Sequence, residues 1–170
     1  NAHTEIVQSI NQVNDLLSSL KINNKKAQLL QWSGDCLPDN QAVELASQSH
    51  LNNINGGDSR MDQQYNSVSF VAPIGMQRGS AYQIYSGAPN ENVFTNLWQG
   101  PFWGFSKVWE TFVNTESPRR LKPINIYYHF YSAERYESLL VLKQLYEKAL
   151  REKIFPLFAS KYASIAQSFY

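Results

Sequence analysis

The groups in this chain able to move a proton or attack a bond near neutral pH are few: three histidines, one cysteine and 14 carboxylates among 170 residues. His129 is foremost, because it closes an apolar, aromatic run, Ile124-Asn125-Ile126-Tyr127-Tyr128-His129-Phe130-Tyr131, and its imidazole can exchange a proton among tyrosine neighbours. The same position suits a structural histidine held by hydrogen bonds, and the residues alone leave both readings open. Asp35 and Asp58 each follow a short apolar run broken by glycine, at Ser33-Gly34-Asp35 and Gly56-Gly57-Asp58. A carboxylate there can orient a histidine or hold a sugar hydroxyl, and can equally serve as a turn or helix N-terminal acceptor. Cys36 has no histidine near it in sequence and reads as a small buried residue rather than a nucleophile. His3 and His50 lack a second ligand at metal spacing and read as surface or capping residues. Trp32 and Trp98 offer flat faces on which a sugar ring can pack, with Asn96 close to Trp98 in sequence to pair with hydroxyls. No glycine-rich phosphate loop, His-Glu-x-x-His or Gly-x-Ser-x-Gly occurs, which removes the commonest nucleotide, zinc-protease and serine-hydrolase chemistries.

The elements that must position these residues follow from hydrophobic periodicity. Ile6, Ile10, Val13, Leu17 and Leu20 predict an amphipathic helix ending near Lys21. A strand at Ala27 to Trp32, a helix from Pro38 to Ser49 and a strand at Leu51 to Asn55 come next. Short strands at Val68 to Ala72, Ala81 to Tyr85 and Val93 to Trp98 fill an irregular β-rich stretch over 59–100. Phe105, Val108, Trp109 and Phe112 predict a helix that Pro118 prevents from continuing. Ile124 to Tyr131 is the strongest strand on propensity, followed by a helix through Leu139, Leu142, Leu145 and Ala149. A strand at Ile154 to Ala159 and a helix through Tyr162, Ile165 and Phe169 close the chain. Such alternation predicts an α/β fold, a partial (β/α) barrel with parallel strands and an irregular insert. Four parallel strands are too few to close a barrel, so the expectation is that residues 1–170 form the C-terminal part of one domain, completed by an N-terminal half of the same barrel. Functional residues of such barrels lie at the carboxyl ends of the strands, which would gather Asp35, Asp58, Trp98 and His129 on one rim.

Composition narrows the function classes. Fifteen Lys and Arg against 14 Asp and Glu leave a net charge of +1, too balanced for a nucleic-acid partner. No run approaches 18 apolar residues, so no membrane insertion is expected. A single cysteine forbids an internal disulfide. The 15 Asn and 13 Gln outnumber the acids; amides with aromatics suit a sugar surface, though an amide-rich composition more often reflects the genome.

Four segments together resemble one family. They are Leu30-Gln31-Trp32-Ser33-Gly34-Asp35-Cys36-Leu37-Pro38, Asn53-Ile54-Asn55-Gly56-Gly57-Asp58-Ser59, Asn90-Glu91-Asn92-Val93-Phe94-Thr95-Asn96-Leu97-Trp98, and the stretch from Ser117-Pro118-Arg119-Arg120 to Tyr131-Ser132. They are similar to the deacetylase region of bacterial PelA-type exopolysaccharide proteins, a divergent branch of the NodB-type polysaccharide deacetylases. The resemblance implies a distorted barrel and a divalent metal that activates water to remove N-acetyl groups from an amino-sugar polymer. It implies that His129 protonates the leaving amine, with Ile126 and Tyr128 at the positions that pocket the acetyl methyl; an aliphatic residue is usual where Tyr128 stands. Asp35 and Asp58 match polar positions of this branch. The early Asp-Asp and His-x-x-x-His motifs of the family have no counterpart here, so the metal is expected in the full-length protein and not in this chain alone.

The leading expectation is therefore part of a metal-dependent polysaccharide deacetylase, periplasmic or extracellular, with the polysaccharide as its partner. Its catalytic residues would be His129, Asp35 and Asp58, and its substrate-binding residues Trp32, Asn96, Trp98 and Tyr128. A catalytically silent carbohydrate-binding or scaffolding module is the first alternative. A glycoside hydrolase half-barrel is the second, and would need Asp35 and Asp58 about 5–9.5 Å apart.

Overall fold

A computed structural model describes residues 1–170. In chain order the elements are a π-helical turn at Thr4–Gln8 running into α1 (Ser9–Ser19), β1 (Leu29–Gln31), α2 (Asn40–Gln48), β2 (Asn52–Ile54), β3 (Gly75–Arg78), β4 (Ala81–Ile84), α3 (Glu91–Phe94), α4 (Val108–Asn114), α5 (Tyr136–Arg151) and α6 (Ala159–Gln167). Short 3-10 turns stand at Val68–Phe70, Gly104–Lys107 and Phe130–Glu134. The chain divides into two compact units, one of Asn1–Gly56, Gly75–Tyr85 and Leu157–Tyr170, the other of Gly57–Ile74 and Ser86–Pro156. The stretch 59–100 is thus shared between them.

In the first unit β1 and β2 run parallel, Leu29 opposite Asn52 and Gln31 opposite Ile54, with α2 as the crossover that parallel pairing demands. Asp39 starts α2 by accepting the Ala42 amide at 2.7 Å, and Val43 and Ala46 bury its inner face. β3 and β4 form an antiparallel hairpin, Gly75 opposite Ile84. Its turn places Gly79 at φ 62°, and Glu44 of α2 accepts the Ser80 amide at 2.7 Å and its hydroxyl at 2.8 Å. Asn53 is fully buried and joins β2 to β4: its amide group donates to Tyr82 O at 3.0 Å, and its carbonyl accepts from Ile84 N at 3.2 Å and Trp32 Nε1 at 3.1 Å. Tyr170, just beyond α6, stacks on Tyr82 with centroids 4.2 Å apart.

The second unit is built on an apolar cluster of Ala88, Phe94, Phe105, Val108, Phe112, Val141, Leu142 and Leu145. The last three lie on one stripe of α5, and burying each contributes about 1.5–3 kcal/mol. Gly104 is required where it stands, because a Cβ there would run into the carbonyl oxygen of Phe94.

The expected partial barrel is overturned. The four short strands form two separate two-stranded sheets, one parallel and one antiparallel, and no barrel closes. Ile124 to Tyr131 has no partner strand: it is an extended segment leading into the Phe130–Glu134 turn. Its alternation is nonetheless real, since Ile124, Ile126 and Tyr128 all pack against the apolar cluster. β-propensity registers that half-buried, pleated fit and says nothing of whether a ladder partner exists. Val93 to Trp98 is also no strand, because Asn90 caps a helical turn by accepting the Asn92 amide at 3.0 Å. Ser67 similarly caps a 3-10 turn over Val68–Phe70, and Ile154 to Ala159 carries no strand before α6 begins. No helix is long and apolar enough to cross a membrane.

Candidate functional site

His129 lies in the second unit, where the extended segment turns into the Phe130–Glu134 helix. Alternation along that segment sends Tyr128 to the apolar cluster and its neighbours Tyr127 and His129 elsewhere. The Tyr127 and His129 ring centroids are 5.8 Å apart, and the Tyr131 ring stacks almost parallel on the imidazole, 5.0 Å away at 6°.

The imidazole is held by Glu91, the first residue of α3. Glu91 is wholly buried, its Oε1 lies 2.8 Å from His129 Nδ1, and its two carboxylate oxygens stand 3.2 and 3.3 Å from the His129 backbone nitrogen. An ionised carboxylate can only accept, so this geometry assigns the proton to Nδ1 and leaves Nε2 for an external partner. The His129 side chain is 38% exposed against 0% for Glu91, so the imidazole can be reached while its orienting acid cannot. A buried carboxylate that fixes the tautomer and orientation of an imidazole is an arrangement used for general acid and base catalysis.

A second layer holds the first. The Tyr131 hydroxyl stands 2.9 Å from Asn92 Nδ2 and 3.1 Å from Oδ1, and burial together with the neighbouring Glu91 charge raises its pKa above the usual tyrosine range despite the Asn92 bond. Trp98 packs on Tyr131 and on Phe102, each at 5.0 Å between centroids. Asn96, Leu97 and Trp98 all take left-handed backbone conformations, φ 48°, 51° and 65°, a region that glycine and asparagine enter readily but leucine and tryptophan only under strain. The turn is braced from within: Leu97 N donates to Asn92 O at 2.9 Å, Trp98 N to Thr95 Oγ1 at 3.2 Å, and Gly100 N to Thr95 O at 2.9 Å.

Of the residues singled out from sequence, His129, Asp58, Asn96, Trp98 and Tyr128 belong to this unit, and Trp32 and Asp35 to the first. Asn96 is exposed and donates to Gln99 Oε1 at 3.2 Å. Tyr128 packs against the apolar cluster and edge-on to Tyr146 at 6.5 Å. Asp58 has its own surroundings, described below. Asp35 is exposed and accepts the Leu37 amide at 3.1 Å, a turn carboxylate, and Trp32 spends its indole N–H on Asn53.

Sequence reasoning missed Glu91 as the acid behind His129. It stood in a quoted segment, but a lone acid after a capping asparagine carries no mark of burial, and 38 residues separate it from His129. No group of three or more His, Cys, Asp or Glu side chains is placed to hold a metal ion. No family model, curated protein or solved structure matches this chain.

Proposed function

We propose that Glu91 and His129 form the proton-transfer site of a polysaccharide deacetylase, His129 acting as the general acid when an N-acetyl group is hydrolysed from an amino-sugar exopolysaccharide. The observation that carries this reading is the 2.8 Å contact between the buried Glu91 carboxylate and His129 Nδ1, which leaves Nε2 on a half-exposed ring. With its own proton on Nδ1, the ring takes a proton at Nε2 from the attacking water as the tetrahedral intermediate forms, and returns it to the departing nitrogen as the carbon–nitrogen bond breaks, so acetate and a free amine leave. Glu91 keeps the ring in the tautomer and orientation this needs. Tyr127, Tyr131 and Trp98 give the flat, partly apolar surfaces against which sugar rings pack.

The divalent metal that the resemblance implies does not fit the residues of this chain, none of which form a ligand cluster. His129 and its partners therefore carry the chemistry assigned here. An exopolysaccharide substrate places the protein in the periplasm or outside the cell.

The test is acetate release from N-acetylhexosamine oligomers by the intact protein. His129→Ala should lower turnover by about 10²–10⁴-fold, with the fold retained by circular dichroism. Turnover equal to that of the parent overturns the reading. The run of aromatic rings from Tyr127 to Trp98 also favours a carbohydrate-binding module without turnover, and oligomer binding with no acetate released would select it.

A further inference from the structure

The second unit contains a cavity of about 370 Å³ whose walls include Asp58, Arg60, Tyr65, Ser69, Phe70 and Val93. That volume falls within the roughly 300–1,000 Å³ of small-molecule sites. Val93 lies two residues from Glu91, so one short helix serves both the cavity and the His129 pair.

The walls differ in how far their charges are already satisfied. Arg60 ion-pairs through Nε with the buried Asp62, donates to Gln64 Oε1 at 3.3 Å, and lays its guanidinium over the rings of Tyr65 at 4.3 Å and Phe94 at 4.8 Å. Burial pushes the Asp62 carboxyl up, but Arg60 and the amides of Tyr65 and Gln64 more than offset it and hold it below its usual value. The Arg60 charge is therefore spent. Asp58 has no such arrangement: it accepts no hydrogen bond and makes no ion pair, the Arg60 guanidinium in the same wall being paired with Asp62. Asp58 is exposed, but protein lies close enough around its carboxyl to push it above the ordinary range. In the same cavity, Tyr65 and Phe70 pack edge to face at 5.1 Å and supply an aromatic wall, and the Ser69 hydroxyl lies 2.9 Å from that of Ser67, with lone pairs to spare.

We infer that this cavity binds a protonated primary amine carried on a hydroxylated ring, the ammonium pairing with Asp58 while the ring packs on Tyr65 and Phe70 and a hydroxyl reaches Ser69. An acetamide or a neutral sugar offers the same ring but no charge, and leaves the carboxylate unpaired. A free hexosamine is the product of the hydrolysis proposed above, so the cavity would hold a deacetylated unit of the polymer. The identity of the natural amine rests on that reading; the binding does not.

The experiment titrates the intact protein with glucosamine, N-acetylglucosamine and glucose at neutral pH, followed by calorimetry and by amide NMR shifts. Glucosamine should bind in the millimolar range, about tenfold or more tighter than either of the others, as expected for one charge-assisted hydrogen bond. Its shifts should centre on Gly57, Asp58, Ser69 and Phe70. Asp58→Asn should remove that preference. Equal binding of the three sugars, no binding, or shifts centred elsewhere overturns the inference. The comparison among sugars on the unaltered protein decides the matter if Asp58→Asn fails to fold. Because no turnover is read, failure here leaves the role of His129 standing, and an inactive His129→Ala leaves this site standing.

Discussion

The two units differ in where buried polar groups keep hydrogen-bonding capacity to spare. In the first, Asn53 spends its side chain on three partners, Tyr82 O, Ile84 N and Trp32 Nε1, and the fully buried Gln83 donates to both Cys36 O and Asn55 O. In the second, Glu91 holds an imidazole with one nitrogen uncommitted, Lys122 is 2% exposed with its Nζ on a single carbonyl, Pro73 O at 2.6 Å, and the buried Ser132 Oγ has no hydrogen-bond partner. A satisfied network fixes a fold; a buried group with capacity left over is costly to the fold and useful to a ligand. The difference teaches where chemistry can reside: polar residues occur in both units, but spare hydrogen-bonding capacity concentrates in the second.

The largest effect that would break this contrast is on turnover. Glu91→Gln keeps the size of the side chain but removes the charge that fixes the His129 tautomer, so acetate release should fall by about 10²–10⁴-fold. An unchanged rate would mean that the pair is structural.

Next comes Lys122, whose burial lowers its pKa from 10.5 to about 8. The unfolded chain binds the extra proton between those values, so stability should rise with pH from about 8 towards 10.5, by about 3 kcal/mol in all. The rise should be cut short near pH 10, where Tyr131, Tyr146 and Tyr162, all raised chiefly by burial, stay protonated in the folded state after the unfolded chain has lost those protons. Urea melts across pH 7–10 would show the rise in the parent and its loss in Lys122→Met.

Asn53→Ala should destabilise the first unit by about 2–3 kcal/mol, since it strands a buried amide and carbonyl on β4. The smallest effect belongs to Asp35→Ala, which loses one exposed turn bond and should change stability by no more than about 0.5–1 kcal/mol and turnover by less than twofold. A large loss of activity there would move part of the site into the first unit.

What could be read from sequence was local. The pattern of α2 and the capacity of short apolar runs to form β1 and β2 were legible because propensity and burial agree there. Ile124, Ile126 and Tyr128 gave the right face for the core, and the same alternation gave His129 its neighbours Tyr127 and Tyr131. The absence of a partner strand was not legible, because pairing depends on residues far away in sequence. Glu91 was hidden for the same reason: burial is a property of the assembled core, and nothing beside a glutamate in the chain records it.

Stereochemistry gives the turn at Asn96-Leu97-Trp98 a further meaning. Three successive L-residues there follow the path that their mirror-image counterparts would take freely, at a cost on the order of 1–2 kcal/mol each. The indole that packs on Tyr131 is thus aimed by a stretch of backbone running against its own handedness, restrained by the carbonyl of Asn92 and the hydroxyl and carbonyl of Thr95, which accept its amides. A D-amino acid placed by chemical synthesis at the exposed Leu97 would match that path, so the corner should hold its shape more firmly with the wrong enantiomer than with the natural one.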